Sequence, residues 1–135
     1  MSRREDHRLT TGHGCYTSDW NVPAQLHAVF LRADRAHAEI VRLDAARALA
    51  HAGVVAVFTG DDAHAAGFKS LPNVVNYAGK GGQPMLKPIH PVLAHGRVRF
   101  VGEAVMMIVA ETAAIAEDAR DLVEIEYRDL PAAAT

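Results

Sequence analysis

Residues 98–131, VRFVGEAVMMIVAETAAIAEDARDLVEIEYRDLP, decide the fold. Residues 98–101, Arg99 apart, and 104–110 are apolar on both alternating faces, the pattern of a central strand covered on both sides. Gly102 and Glu103 interrupt it, and a glycine inside a strand pattern marks a bulge or a close backbone approach. From Thr112 the period changes. Ile115, Ala119 and Leu122 fall at i, i+4 and i+7, with Glu117, Asp118, Arg120 and Asp121 elsewhere, which describes an amphipathic helix capped by Thr112. Val123, Ile125 and Tyr127 then alternate with Glu124, Glu126 and Arg128, so the chain returns as a strand with one polar face until Leu130-Pro131 stops it. Burying the apolar side chains of this unit at about 1.5–3 kcal/mol each makes it the largest local store of hydrophobic stabilisation.

Working outward, the first half repeats the outline without repeating the sequence. Residues 26–32 (LHAVFLR) and 38–43 (AEIVRL) are strand candidates joined by a short ADRA turn, which predicts a hairpin or a bent strand pair. Asp44 is placed to cap a short helix over 45–52, ended by Gly53 where helices favour a left-handed residue. Residues 54–58 (VVAVF) read as a further strand and Thr59-Gly60-Asp61-Asp62 as a turn. Residues 63–97 are broken by seven glycine or asparagine positions and four prolines into a long loop, with 91–94 as a short edge strand. Residues 1–22 are polar and predict an extended N-terminal arm. The whole reads as a single α+β domain over 1–135.

The chain has 135 residues, half of them apolar, and a formal net charge of -2. That size supports a real core, and the charge gives no electrostatic reason to expect a nucleic acid or anionic membrane partner. The longest unbroken apolar run, 104–110, is far short of the roughly 20 residues that span a bilayer. With no apolar segment after MSRREDHR, the expected location is cytoplasmic. Cys15 is the single cysteine, which excludes an internal disulfide and a thiolate metal cluster.

Candidate chemistry is sparse. Residues 78–84 (AGKGGQP), with Gly81 and Gly82, have the glycines and lysine of an anion-binding loop but not the GxxxxGK[ST] spacing between strand and helix. Eight histidines are scattered without HExxH or paired cysteines, so the expectation is no metal site, and His27 and His37, in or beside strands, are the two expected to be ordered by internal hydrogen bonds. Asp61 and Asp62 follow a strand but suit turn chemistry equally well. Glu103 stands out: a carboxylate beside Gly102 in an otherwise apolar strand must find a donor, sit exposed at a bulge, or face a partner. Gly102, Glu103, Gly81 and Gly82 are therefore the candidate interface or structural positions. No nucleophile, base and oxyanion site assembles from the sequence, so the reading names no catalytic, cofactor-binding or metal residue.

The order of motifs does carry a resemblance. Arg4-Glu5-Asp6, Arg8-Leu9, Thr11-Gly12, Gly14, Tyr16, Asp19, Pro23, Leu26-His27-Ala28, Phe30, Arg32, Ala36-His37-Ala38, Ile40, Asp44, Gly53-Val54, Ala56-Val57 and Thr59-Gly60 resemble the opening of the molybdopterin-binding large subunits of the xanthine dehydrogenase, aldehyde oxidase and carbon monoxide dehydrogenase family. Pro91-Val92-Leu93-Ala94, Val98 to Glu103, Val109 to Thr112, Ala116, Asp118-Ala119, Glu126-Tyr127 and Leu130-Pro131 resemble that family's next motif, so the likeness covers nearly the whole chain. It implies the α/β hammerhead, two strand–helix–strand units sharing a bent mixed sheet. Ala33-Asp34 stands where the family commonly has Ser-Pro, and Ala104 where it has Pro, so the first connection and the Gly102 bulge are expected to differ in shape.

Family members are oxidoreductases that use a molybdopterin cofactor and pass electrons to iron–sulfur and FAD subunits or domains. Their cofactor-holding and catalytic residues lie after the hammerhead. The resemblance thus implies a structural and assembly domain of a molybdenum hydroxylase, not catalytic alone, whose partners are the molybdopterin-binding remainder of the large subunit with FAD and iron–sulfur subunits. It implies either a cut piece of a longer chain or the product of a split gene, and self-association when isolated. The alternative is a freestanding module for a small ligand or a protein that kept the hammerhead without the enzyme.

Overall fold

The computed structural model describes residues 3–132, the side chain of Ser18 apart. A one-turn helix, α1 (Asp6–Thr10), and a 3-10 turn (Thr17–Asp19) open the chain where the sequence pattern suggests an extended arm. Local polar bonds make both. The Asp6 carboxylate accepts the Arg3 N–H at 2.7 Å, the Thr10 hydroxyl donates back to the Asp6 carbonyl at 2.7 Å, and the Asp19 carboxylate accepts the Tyr16 N–H at 2.7 Å. No residue of α1 is buried, so no apolar stripe marks it in the sequence.

Strands β1 (His27–Arg32) and β2 (Ala38–Asp44) follow, then α2 (Ala46–Leu49), β3 (Val54–Thr59), α3 (Gly60–Ala65), β4 (Arg97–Val98), β5 (Ala104–Ala110), α4 (Ala113–Arg120) and β6 (Glu124–Asp129). They form two three-stranded sheets, in the orders β1-β5-β3 and β4-β2-β6, with every described ladder antiparallel. The fold is α+β as expected. The bent mixed sheet of that expectation is two antiparallel sheets.

Two strand readings are corrected by the pairing. β1 and β2 are not a hairpin, because they lie in different sheets and both pair with the second half of the chain. The Ala33 N–H donates to the Glu103 carbonyl at 2.9 Å and the Ala33 carbonyl accepts Gly102 N–H at 2.7 Å, while the His37 carbonyl accepts the Leu130 N–H at 2.9 Å. Both ends of the 33–37 link are thus held by distant backbone. Likewise 98–110 is not one bulged strand. Arg97 and Val98 pair with Glu39 and Ala38 of β2, whereas β5 sits between β1 and β3. Gly102-Glu103 is where the chain changes sheet.

The central placement of β5 is as expected. Val105, Met106, Ile108 and Ala110 are fully buried. Val105 faces a cluster with Ala33, Ala38, Ala94 and Val98, against which Ile40, Ile125 and Tyr127 pack. Met106 and Ile108 face a second cluster with Ala48 and Ala119, bordered by Leu31, Val54, Val57 and Leu122. Leu43 touches both clusters and joins them. Thr112 caps α4, its Oγ1 accepting the Ile115 N–H at 3.2 Å. The inward face of α4 is centred on Ala116 and Ala119, whose small side chains let the helix lie close on the sheet, with Ile115 half-buried beside them. Asp44 accepts the Ala46 N–H at 3.0 Å just before α2, but the cap position is Ala45, one residue later than read, and α2 is shorter than 45–52.

Two further readings fall. Residues 60–62 are not a turn but the start of α3, held by a reciprocal cap: Thr59 Oγ1 accepts the Asp62 N–H at 3.2 Å, and the Asp62 carboxylate accepts the Thr59 N–H at 2.7 Å. Residues 91–94 form no edge strand. Leu93 and Ala94 are buried, and the Ala94 N–H donates to the Ala104 carbonyl at 2.7 Å, so the segment closes over the start of β5 without a ladder. Between α3 and β4 the long loop holds a 3-10 turn (Lys80–Gly82) and an isolated bridge, Ala78 to Pro84.

Candidate interface site

Glu103 lies at the crossing between the sheets and is 4% exposed. Its Oε2 accepts the Arg99 N–H at 2.5 Å, and Oε1 lies 3.6 Å from Arg99 Nη1. The side chain therefore reaches back over the turn 99–102 and satisfies the donor that the end of β4 leaves open. Gly102 has φ +89, a left-handed conformation that its lack of a Cβ permits. Its carbonyl accepts Arg32 Nη1 at 2.9 Å. The turn is fixed on three sides, and its tip presents Phe100 and Val101 to solvent at 48% and 65% exposure. These two side chains, apolar in a stretch that reads as core, are outside it.

Gly81 and Gly82 are far from this crossing in sequence, on an exposed turn closed by the Gly79 N–H donating to the Gln83 carbonyl at 2.7 Å. No helix follows them, so the N–H array of a phosphate loop is not built.

The structure makes one polar cluster that the sequence does not show. Asp61 Oδ1 lies 2.6 Å from His95 Nδ1, and the His95 ring stacks on His64 with centroids 4.7 Å apart and planes 9° from parallel. Gly60 makes this approach possible: a Cβ there would stand 2.0 Å from the Ala94 carbonyl oxygen. All three side chains are exposed. Thirty-four positions separate Asp61 from His95, and only the Thr59-x-x-Asp62 capping pattern hints that a helix starts there. His37 is ordered as expected, its Nδ1 2.8 Å from the Pro131 carbonyl. His27 makes no side-chain hydrogen bond among the described residues. Cys15 is free and exposed.

Two carboxylates are held below their ordinary range: Asp44 by the backbone N–H of Ala46 and then by Arg42, and Asp62 by the Thr59 hydroxyl and N–H. Burial pushes the Tyr127 hydroxyl up. None of these groups converges on a common point with Glu103.

A cavity of about 600 Å³ is apolar and lies on the face of the β1-β5-β3 sheet turned away from α2 and α4, lined by Phe30, Phe58, Met107, Phe68 and Val92 among others. Among the described residues no group of three or more His, Cys, Asp or Glu side chains is placed to hold a metal ion, and no helix is long and apolar enough to cross a membrane. What the described residues do present is a fold of two antiparallel sheets with an exposed apolar face.

Comparison with known proteins shows the family. Residues 11–131 match the family described as aldehyde oxidase and xanthine dehydrogenase, a/b hammerhead domain, and this chain belongs to it. It is 43% identical over 132 residues to the nicotine 6-hydroxylase large subunit of Paenarthrobacter nicotinovorans, covering 96% of this chain and 15% of that protein. It is 32% identical over 119 residues to the nicotinate dehydrogenase large molybdopterin subunit of Eubacterium barkeri, covering 88% and 25% respectively. The crystal structure of quinoline 2-oxidoreductase from Pseudomonas putida 86 superposes with a TM-score of 0.82 at 43% identity, covering 97% of this chain and 16% of that one. The chain thus spans about 15% of the length of the most similar of these proteins.

Proposed function

We propose that this chain is the structural and assembly domain of a cytoplasmic molybdenum hydroxylase large subunit, without catalysis of its own. The observation that carries the reading is the match of residues 11–131 to the hammerhead alone, in proteins more than six times as long. Its partner in this reading is the molybdopterin-binding remainder of the large subunit, which in turn assembles with FAD and iron–sulfur subunits. The residues present do not fit the molybdopterin: the large cavity is lined by Phe, Val, Met and Ala with Asp62 at one edge, which leaves a phosphate-bearing, polar cofactor without donors. No chemical step is therefore assigned to this chain.

A freestanding module would bury its large apolar side chains. Here Trp20 is 71% exposed, Val74 88% and Leu86 90%. All three lie in the N-terminal arm or the 63–97 loop, which supports docking through those segments. The test is co-expression of this chain with a molybdopterin-binding region of a relative from which the hammerhead has been removed, followed by co-purification and metal analysis. The expected outcome is a stable complex that carries molybdenum, while this chain alone oxidises neither aldehydes nor N-heterocycles. Turnover by the purified chain alone would overturn the reading.

A further inference from the structure

The register of the β1-β5-β3 sheet places Phe30, Met107 and Phe58 directly across from one another, Phe30 to Met107 and Met107 to Phe58. They form an apolar row over all three strands. The opposite face of the same strands packs Met106 and Ile108 against Ala48 of α2 and Ala119 of α4. On the Phe30 face, among the described residues, only the end of α3 with Ala63 and Ala66, Phe68 and residues 92–93 come near, and they wall a cavity instead of closing over the row. Phe30 and Phe58 are 40% and 42% exposed, and Phe68 and Val92 wall the cavity above them at 64% and 40%. A sheet covered on one side only is expected to be polar on the other; this one is aromatic.

The exposed area of the whole chain sets the scale of the missing cover. Compact monomers of 14.5 kDa expose about 6,900 Å², whereas this chain exposes 10196 Å². The excess, about 3,300 Å², is spread over the whole chain, the N-terminal arm and the 63–97 loop included, and is several times the roughly 800 Å² that a standard interface takes from each side. A second copy docked through the Phe30 row would also leave Phe100 and Val101, which border a separate pocket of about 430 Å³ near Pro131, in water. The need is for a larger polypeptide that meets the domain at several places. We propose that the Phe30–Met107–Phe58 row is the principal seat for an apolar segment of the large-subunit remainder, supplied in the same chain or by another. This assignment rests on the assembly role proposed above.

The experiment replaces the hammerhead of the nicotine 6-hydroxylase large subunit by this whole chain, either unchanged, with Phe30→Glu and Phe58→Glu together, or with Ala114→Glu on the exposed side of α4. Assembled, molybdenum-containing complex is measured after size-exclusion chromatography, and circular dichroism of each isolated chain reports whether the variant folds. The unchanged chimera and Ala114→Glu are expected to assemble, and the double variant to fold but yield at least tenfold less complex. Assembly of the unchanged chimera and of the double variant alike overturns the seat while leaving the assembly role standing. Failure of the unchanged chimera overturns both. A sharp dimer of the isolated chain that Phe30→Glu abolishes identifies a second copy as the occupant and also overturns the assignment. Should the double variant fail to fold, Phe30→Ser alone is read in the same way, against the same tenfold expectation.

Discussion

Replacing Glu103 by alanine separates a structural carboxylate from one held for a partner. In the folded chain the Arg99 N–H donates to Glu103 Oε2 at 2.5 Å, at a side chain only 4% exposed. Glu103→Ala leaves that donor without an acceptor where water is largely excluded, which costs about 1–3 kcal/mol. For a chain of 135 residues, an unfolding entropy of about 2.1 cal/mol/K per residue makes each kcal/mol worth about 3.5 °C of melting temperature. Glu103→Ala is therefore expected to melt about 4–11 °C below the native protein. Glu103→Gln keeps an oxygen acceptor for the Arg99 N–H and loses only charge toward a guanidinium 3.6 Å away and 29% exposed; its expected loss is under about 1 kcal/mol, since such partly exposed pairs contribute little. Thermal unfolding followed by circular dichroism reads both. An alanine variant as stable as the native chain, or more so, refutes the structural account and marks the carboxylate as one retained at a cost for an external partner. Equal losses in the two variants would refute the backbone bond as the source and assign the effect to the charge.

Gly60→Ala is expected to cost about 1–3 kcal/mol, because the new Cβ would stand 2.0 Å from the Ala94 carbonyl oxygen and backbone must separate to admit it; a denaturant midpoint unchanged from the native chain would show that α3 and 94–95 are not in contact. Acid is expected to destabilise the fold through Asp44 and Asp62. Both are held below their ordinary 3.8, so the stability they contribute is complete above that value and is lost as pH falls through it toward their folded values. Denaturant titrations between pH 6 and pH 2 check this, with Asp62→Asn flattening part of the fall. At the alkaline end the raised Tyr127 works in the other direction, its contribution complete below pH 10.0 and lost above it.

The unit from β5 to β6 was legible because each of its elements carries its own signal: apolar residues on both faces of β5, a change of period with a threonine cap at α4, and clean alternation in β6. Alternation says which face a side chain takes but not which strand lies beside it. That is why β1 and β2 read as a hairpin although their partners are β5 and β6, some 70 to 90 positions away. α1 escapes because it buries nothing, and α3 because Gly60 and two aspartates suit a turn until Thr59 is seen to cap them. Glu103 could be picked out by chemistry, as an acid in an apolar run, but its partner, the Arg99 N–H, could not. The Phe30 row is the least legible feature. Its members lie 28 and 49 positions from one another along the chain, and only the register aligns them.

Neither sheet belongs to one half of the chain. The first takes two strands from before the long loop and one from after it, the second takes one from before and two from after. On a ribosome, then, none of the strands before residue 63 has the sheet neighbour it requires. The first sheet has all its strands only once Ala110 has emerged, and the second only once Asp129 has. A nick in the long loop would leave two pieces, each lacking a complete sheet, that regain the fold only by finding each other.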